Sequence, residues 1–179
     1  MNETAKTLTV INEMQAAGVI GQYAIGGAVG ALFYLEASDT ADIDIFVSFA
    51  SQPGEIISLA PIYAYLKKLG YDTFVKEGVV VEGWPVQFLP PENLLIEEAL
   101  AEAVATDVQG VPTRVMTAEH LVAIALQTGR GKDHLRILAF IDKGCIDAGK
   151  LDDILKRHKL LEKMSQFEDK FVSGNRDIT

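Results

Sequence analysis

Between residues 3 and 17, apolar side chains recur at Leu8, Ile11, Met14 and Ala17. That three-residue spacing marks one face of a helix, and Gly18 is its natural stop. Residues 22–25 (QYAI) predict a short strand that ends in Gly26-Gly27, and the small and apolar run from Ala28 to Ala37 predicts a buried helix. Residues 40–48 predict the next strand. Pro53-Gly54-Glu55 predicts a turn, and residues 57–69 a helix with Pro61 near its start. Three β-prone stretches follow at 73–76, 79–82 and 84–89, punctuated by Gly78 and Gly83 and stopped by Pro90-Pro91. The segment PENLLIEEALAEA predicts a helix beginning near Pro91. Residues 104–108 and 111–116 predict a strand pair around Gly110. From Thr117, a natural N-cap, the pattern is helical only, with further helices at about 132–143, 149–157 and 159–171. The order predicts an α+β fold: a mixed β-sheet flanked by helices in residues 1–112, then a small helical subdomain in 113–179. The second part is too small for a secure core of its own and is expected to pack on the first.

The second strand, TADIDIFV, breaks the apolar pattern at Asp42 and Asp44. Side chains alternate along a strand, so both carboxylates share one face while Ile43, Ile45 and Val47 share the other. Two residues of rise separate them by about 6.5 Å. Carboxylates at that spacing can reach one hard cation or a pair of cations, and without a cation they repel and raise a pKa. Magnesium suits such a site, because it takes oxygen ligands and keeps places for water and phosphate. Gly26-Gly27 at the preceding strand-to-helix junction permits a tight turn and close approach of a phosphate, and the N–H groups of the following helix would face it. A right-handed crossover would set the two strands parallel, with both motifs at one sheet edge.

Composition narrows the partners. The formal net charge of -9, with basic residues dispersed, argues against general nucleic-acid binding and leaves room only for a local contact such as an RNA end. The exceptions to that dispersal are a modest group at Arg130, Lys132 and Arg136 and another from Lys156 to Lys159. Cys145 is the only cysteine, so no intrachain disulfide forms, and the three histidines show no zinc-ligand spacing and read as surface or cap residues. No run approaches the roughly 18 apolar residues of a membrane span, and the first residues lack a secretory pattern. A cytoplasmic protein is expected. The glycines fit neither G-x-x-x-x-G-K-[ST] nor G-x-G-x-x-G.

The stretch YAIGGAVGALFYLEASDTADIDIFV resembles the core of the nucleotidyltransferase superfamily, the polymerase β-like fold. It is most similar to small AbiEii-type toxin nucleotidyltransferases and related prokaryotic proteins. TAEHLVAIALQTGRGKDHLRILAFID resembles a helical segment of the same group, so the likeness spans about residues 20–145. The resemblance implies that Gly26 and Gly27 cradle a nucleoside triphosphate and that Asp42 and Asp44 bind magnesium. Lys132 and Arg130 would meet the phosphates, with Asp133 near the metal or holding Lys132. A nucleoside monophosphate would pass to a hydroxyl acceptor, with a cognate antitoxin or toxin protein or an RNA end as a macromolecular partner. The family's third carboxylate falls at Gln87 in this chain, inside WPVQFL. An amide takes no proton from an attacking hydroxyl and is a poor magnesium ligand. Glu82 is an alternative source of that charge. The resemblance therefore implies either an active transferase or a catalytically degenerate nucleotide- or metal-binding protein, with a toxin–antitoxin partner module as a third reading.

Overall fold

The computed structural model describes residues 3–36, 42–49 and 58–172. In chain order its elements are α1 (Glu3–Ala16), β1 (Tyr23–Ile25), α2 (Gly27–Ala31), β2 (Ile43–Val47), α3 (Ala60–Lys68), β3 (Phe74–Val75), β4 (Gly78–Val81), β5 (Trp84–Leu89), α4 (Leu94–Ala101), β6 (Val104–Val108), β7 (Val111–Val115), α5 (Ala118–Thr128), α6 (Gly131–Lys143), α7 (Ala148–Arg157) and α8 (Leu161–Phe171). The strands form one sheet in the order β3-β4-β5-β2-β1-β7-β6. β2 runs parallel to β5 and β1 parallel to β7; the other neighbours are antiparallel. The result is an α+β mixed sheet flanked by helices.

The sheet separates two apolar layers. Ile43, Ile45 and Val47 of β2 face a core built with Leu8, Ile11 and Met14 of α1 and Ile62 and Leu66 of α3. Phe46, on the opposite face, joins Ala24, Met116 and the helices from α4 onward. The alternation along β2 thus assigns its Asp44 side to the helical layer, as the period of two requires. Tyr23 ties β1 to α1 and β7: its hydroxyl lies 2.8 Å from Asn12 Oδ1 on α1 and 3.0 Å from Thr113 Oγ1 on β7.

Several elements depart from the sequence pattern. The helix expected over 28–37 is only Gly27–Ala31, followed by turns through Tyr34. The parallel crossover expected between the first two strands does not form either. β1 and β2 are antiparallel, with Ile25 opposite Ile45 and Tyr23 opposite Val47. The helix expected from Pro91 starts at Leu94, because the Asn93 side chain accepts the Ile96 N–H at 3.1 Å and takes the N-cap. The start of the second strand at Thr40, the turn at 53–55 and the start of the helix expected at 57 lie outside the described residues.

The helical layer is pinned by one carboxylate. Glu98 of α4 accepts from Arg157 Nη2 at 2.5 Å and pairs with His158 Nε2 at 2.8 Å and with His120 Nε2 at 3.3 Å. It therefore joins α4, α5 and the end of α7. Of the two roles its sequence context suggests, surface or cap, His120 takes the cap: it is buried, with Nδ1 2.8 Å from Thr117 Oγ1 at the start of α5. These partners, Arg157 first, hold the Glu98 carboxyl down at about 2. Its stabilising contribution is thus complete above the ordinary glutamate range and is lost as pH falls from about 4.5 toward about 2. Glu98→Gln should lower unfolding stability at neutral pH by about 1.5–3 kcal/mol, read in urea melts. The deficit should shrink over that acidic window. An unchanged gap between wild type and variant from neutral pH to pH about 2 would remove Glu98 as the pin.

Candidate functional site

The site starts from the closure of β1 onto β2. The Gly26 N–H donates to the Asp44 carbonyl at 3.0 Å, extending the antiparallel pair by one bond. Gly27 then turns with φ 56°, in the left-handed region that side chains avoid. A Cβ at Gly27 would collide with Asp44 Oδ2, and one at Gly26 would collide with the Phe46 ring. Both glycines are therefore needed for the turn to lie flat on β2. In an antiparallel pair the end of β1 and the start of β2 share one sheet edge, so the glycine turn and the aspartates meet there without a parallel crossover.

The opposite wall comes from the start of α6. Gly129 ends α5 in the left-handed conformation, and Arg130 caps α6. Asp133, 1% exposed, accepts from the Arg130 backbone N–H at 3.3 Å, from Arg130 Nε at 2.8 Å and from Arg136 Nη1 at 3.3 Å. Asp133 thus holds two arginines rather than Lys132, and it lines the same cavity as Asp42 and Asp44. Lys132 is exposed and forms no ion pair among the described residues. It shares a helix face with Arg136, four residues on.

Gly27, Asp42, Asp44, Gln87, Arg130 and Lys132 all line one cavity of about 430 Å³. Gly26 stands just behind it, buried against Phe46 and Met116. The sequence-selected residues therefore converge, with Gly26 shaping the turn from beneath. A second cavity of about 730 Å³ adjoins the first and shares Ala28, Asp42, Lys132 and Arg136 with it.

Burial pushes the Asp44 carboxyl above the ordinary aspartate range, and the Asp42 charge pushes it further; Lys132, Arg136 and Arg130 oppose both. No ion pair to Asp44 forms among the described residues. A carboxylate that is desolvated, crowded by a second carboxylate and countered only at longer range suits a divalent cation with oxygen ligands. The donor set of Asp42 and Asp44 fits such an ion. Glu98, Glu102 and His120 also bring ligand atoms within 4.8 Å of one another. Glu98 in that group already satisfies Arg157 and His158, which accounts for it as part of the helix pin.

Gln87 sits beside Asp44 in the parallel β2–β5 register. Its Nε2 donates to Glu77 Oε2 at 2.9 Å. Glu77 lines the same cavity, as do Glu92 and Arg136. The sequence pattern did not single out Glu77, although the register offered a signal. A two-residue turn at Glu82-Gly83 pairs Val81 with Trp84 and Val79 with Val86, which brings Gln87 to the Glu77 end of β4. By the same count Glu82 falls at the far end of that strand. It accepts from the Tyr71 hydroxyl there and does not line the cavity.

The sequence matches no protein-family model and no curated protein. Its fold is similar to an antigenic nucleotidyltransferase-like protein from Paracoccidioides brasiliensis, with a TM-score of 0.54 at 15% identity over 91% of this chain and 92% of that one. The solution structure of the antibiotic-resistance factor ANT(2'')-Ia matches at a TM-score of 0.49 and 19% identity, over 93% of this chain and 99% of that one. ANT(2'')-Ia in complex with adenylyl-2''-tobramycin matches at 0.48 and 18%, over 85% and 96%. The chain thus has a nucleotidyltransferase-like α+β fold.

The desolvated charge on Asp44 costs stability at neutral pH. A carboxyl with a raised folded-state pKa is penalised as pH rises through its ordinary range, and the penalty is absent below it. Asp44→Asn in metal-free protein should therefore raise unfolding stability at pH 7 by about 1 kcal/mol, and the gain should vanish below pH about 4. Gly27→Ala should do the reverse, losing about 1–2 kcal/mol for the left-handed backbone alone. Denaturant melts at both pH values check the two variants. A less stable Asp44→Asn protein at pH 7 would contradict this electrostatic account.

Proposed function

We propose that this chain is a magnesium-dependent nucleotidyltransferase that moves a nucleoside monophosphate from a nucleoside triphosphate to a hydroxyl acceptor. The observation that carries the reading is one cavity lined by the Gly27 turn, Asp42, Asp44 and the Lys132–Arg136 face of α6. Its volume of about 430 Å³ lies within the usual range for a small-molecule site. Asp42 and Asp44 are the magnesium ligands in this reading. When bound, magnesium supplies charge neutralisation across the phosphates during transfer.

The chain's own groups divide the remaining work. Gly26 and Gly27 let the triphosphate approach the backbone where any side chain would block it. Lys132, without a protein carboxylate partner among the described residues, meets a phosphate as a point charge. Arg130 and Arg136, oriented by buried Asp133, keep the wall positive without collapsing onto Asp44. The adjoining cavity of about 730 Å³ is the place for the acceptor, since it opens onto Asp42 and Lys132.

Within the superfamily we place the chain with the AbiEii-type toxin nucleotidyltransferases on its glycine-turn and D-x-D motifs. A cognate antitoxin protein or an RNA end is then its macromolecular partner and the cytoplasm its location. A second reading is a nucleotide-binding protein without transfer chemistry, favoured by the amide at Gln87 beside Asp44.

Calorimetry with each nucleoside triphosphate, with and without magnesium, should show binding that depends on the metal. Asp42→Ala and Asp44→Ala should each weaken it by roughly 10–100-fold or more, and labelled transfer to the acceptor should disappear. Absence of nucleotide binding in every condition would overturn both readings. Tight binding without transfer to any acceptor, water included, would select the second.

A further inference from the structure

The cavity contains a third carboxylate that the strand pattern does not place there. Gln87 occupies the β5 position beside Asp44, and its amide nitrogen donates to Glu77 Oε2 at 2.9 Å. Glu77 belongs to the two-residue turn between β3 and β4, where Val75 pairs with Gly78. Its turn partner Lys76 has φ 54°, a conformation that non-glycine residues adopt at a cost. The two residues face different cavities: Glu77 lines the one holding Asp42 and Asp44, and Lys76 lines the adjoining one. The hairpin tip therefore stands at the junction between them.

We propose that Glu77 is the proton acceptor for the attacking hydroxyl and that Gln87 is its positioning residue. This rests on the transferase reading above. The other acidic groups are less suited. Asp133 is buried and holds two arginines. Asp44 is desolvated and assigned with Asp42 to the cation. Glu92 lines the cavity but has no side-chain hydrogen bond among the described residues to orient it. Glu77 is oriented by a bond to Oε2 alone, which leaves Oε1 to face an acceptor arriving from the adjoining cavity. The amide at position 87 follows from this arrangement. A carboxylate there would lie against Glu77 and repel it, whereas the Gln87 N–H donates to it.

The step balances within the two substrates. The acceptor O–H proton moves to Glu77 Oε1 as the acceptor oxygen bonds to the α-phosphorus. The bond from that phosphorus to its bridging oxygen breaks, and pyrophosphate leaves with the electron pair. Glu77 then returns the proton to solvent.

The test combines transfer kinetics with calorimetry on the full chain. Glu77→Gln should lower kcat by roughly 100-fold while leaving metal-dependent nucleotide affinity and melting temperature near wild type. Gln87→Leu should lower kcat less, and the double variant should be no slower than Glu77→Gln, because Gln87 acts only through Glu77. Wild-type kcat in Glu77→Gln overturns the assignment while leaving the transferase reading intact. A Gln87→Glu variant faster than wild type also overturns it, because the base would then belong on β5. A wild-type protein that binds nucleotide but transfers to nothing overturns both.

Discussion

Everything at the site depends on how the end of β1 closes over the start of β2. The bond from the Gly26 N–H to the Asp44 carbonyl lies at the edge where strand pairing ends. It brings the backbone of the glycine turn against the carboxyl group of Asp44, so closely that a methyl group at Gly27 has no room. The same closure sends Ile43 and Ile45 into the core with α1 and α3 and leaves Asp44 facing the helical layer. Core packing and site geometry are therefore one constraint. A register slip of one residue would bury Asp44 among α1 and α3 and turn Ile43 into the cavity.

The second requirement is electrostatic. Two carboxylates are held close at a partly desolvated edge, and fixed cations compensate them from across the cavity. Those cations stay in place because Asp133 takes up Arg130 and Arg136 at the first turn of α6, leaving Lys132 on the exposed face. Behind this wall, Glu98 joins α4 and α7 to His120 of α5, the helix that leads into α6 through Gly129. The helical layer thus sets where positive charge stands, and the sheet sets where negative charge stands. The cavity between them is left with a charge imbalance that a cation and a polyphosphate together would satisfy.

Much of this was legible in the sequence, for identifiable reasons. Period-two alternation put Asp42 and Asp44 opposite Ile43 and Ile45, and the glycine pair marked the turn. The N-cap at Thr117 marked the start of α5. The strand direction of β1 against β2 was not legible, because a connection of that length allows either direction and the small apolar run suits a longer helix than the five residues of α2. Asn93 was hidden for a simpler reason: Pro91 is also a good helix start, and only the Asn93 side-chain bond decides between them. Glu77 was missed because its place depends on pairing across β4 and β5, a non-local register. Glu82 drew notice for its position in the chain, yet the same register puts it at the wrong end of the strand.

The central claim is that the Gly27–Asp44 edge is the cation site. Paramagnetic relaxation by manganese in nuclear magnetic resonance spectra of the isotope-labelled protein tests it most directly. The account predicts that substoichiometric manganese broadens the amide signals of Gly26, Gly27 and residues 42–44 first and most strongly, with the start of α6 next. Broadening centred on Glu98, Glu102 and His120, or spread evenly over the acidic surface, would contradict it.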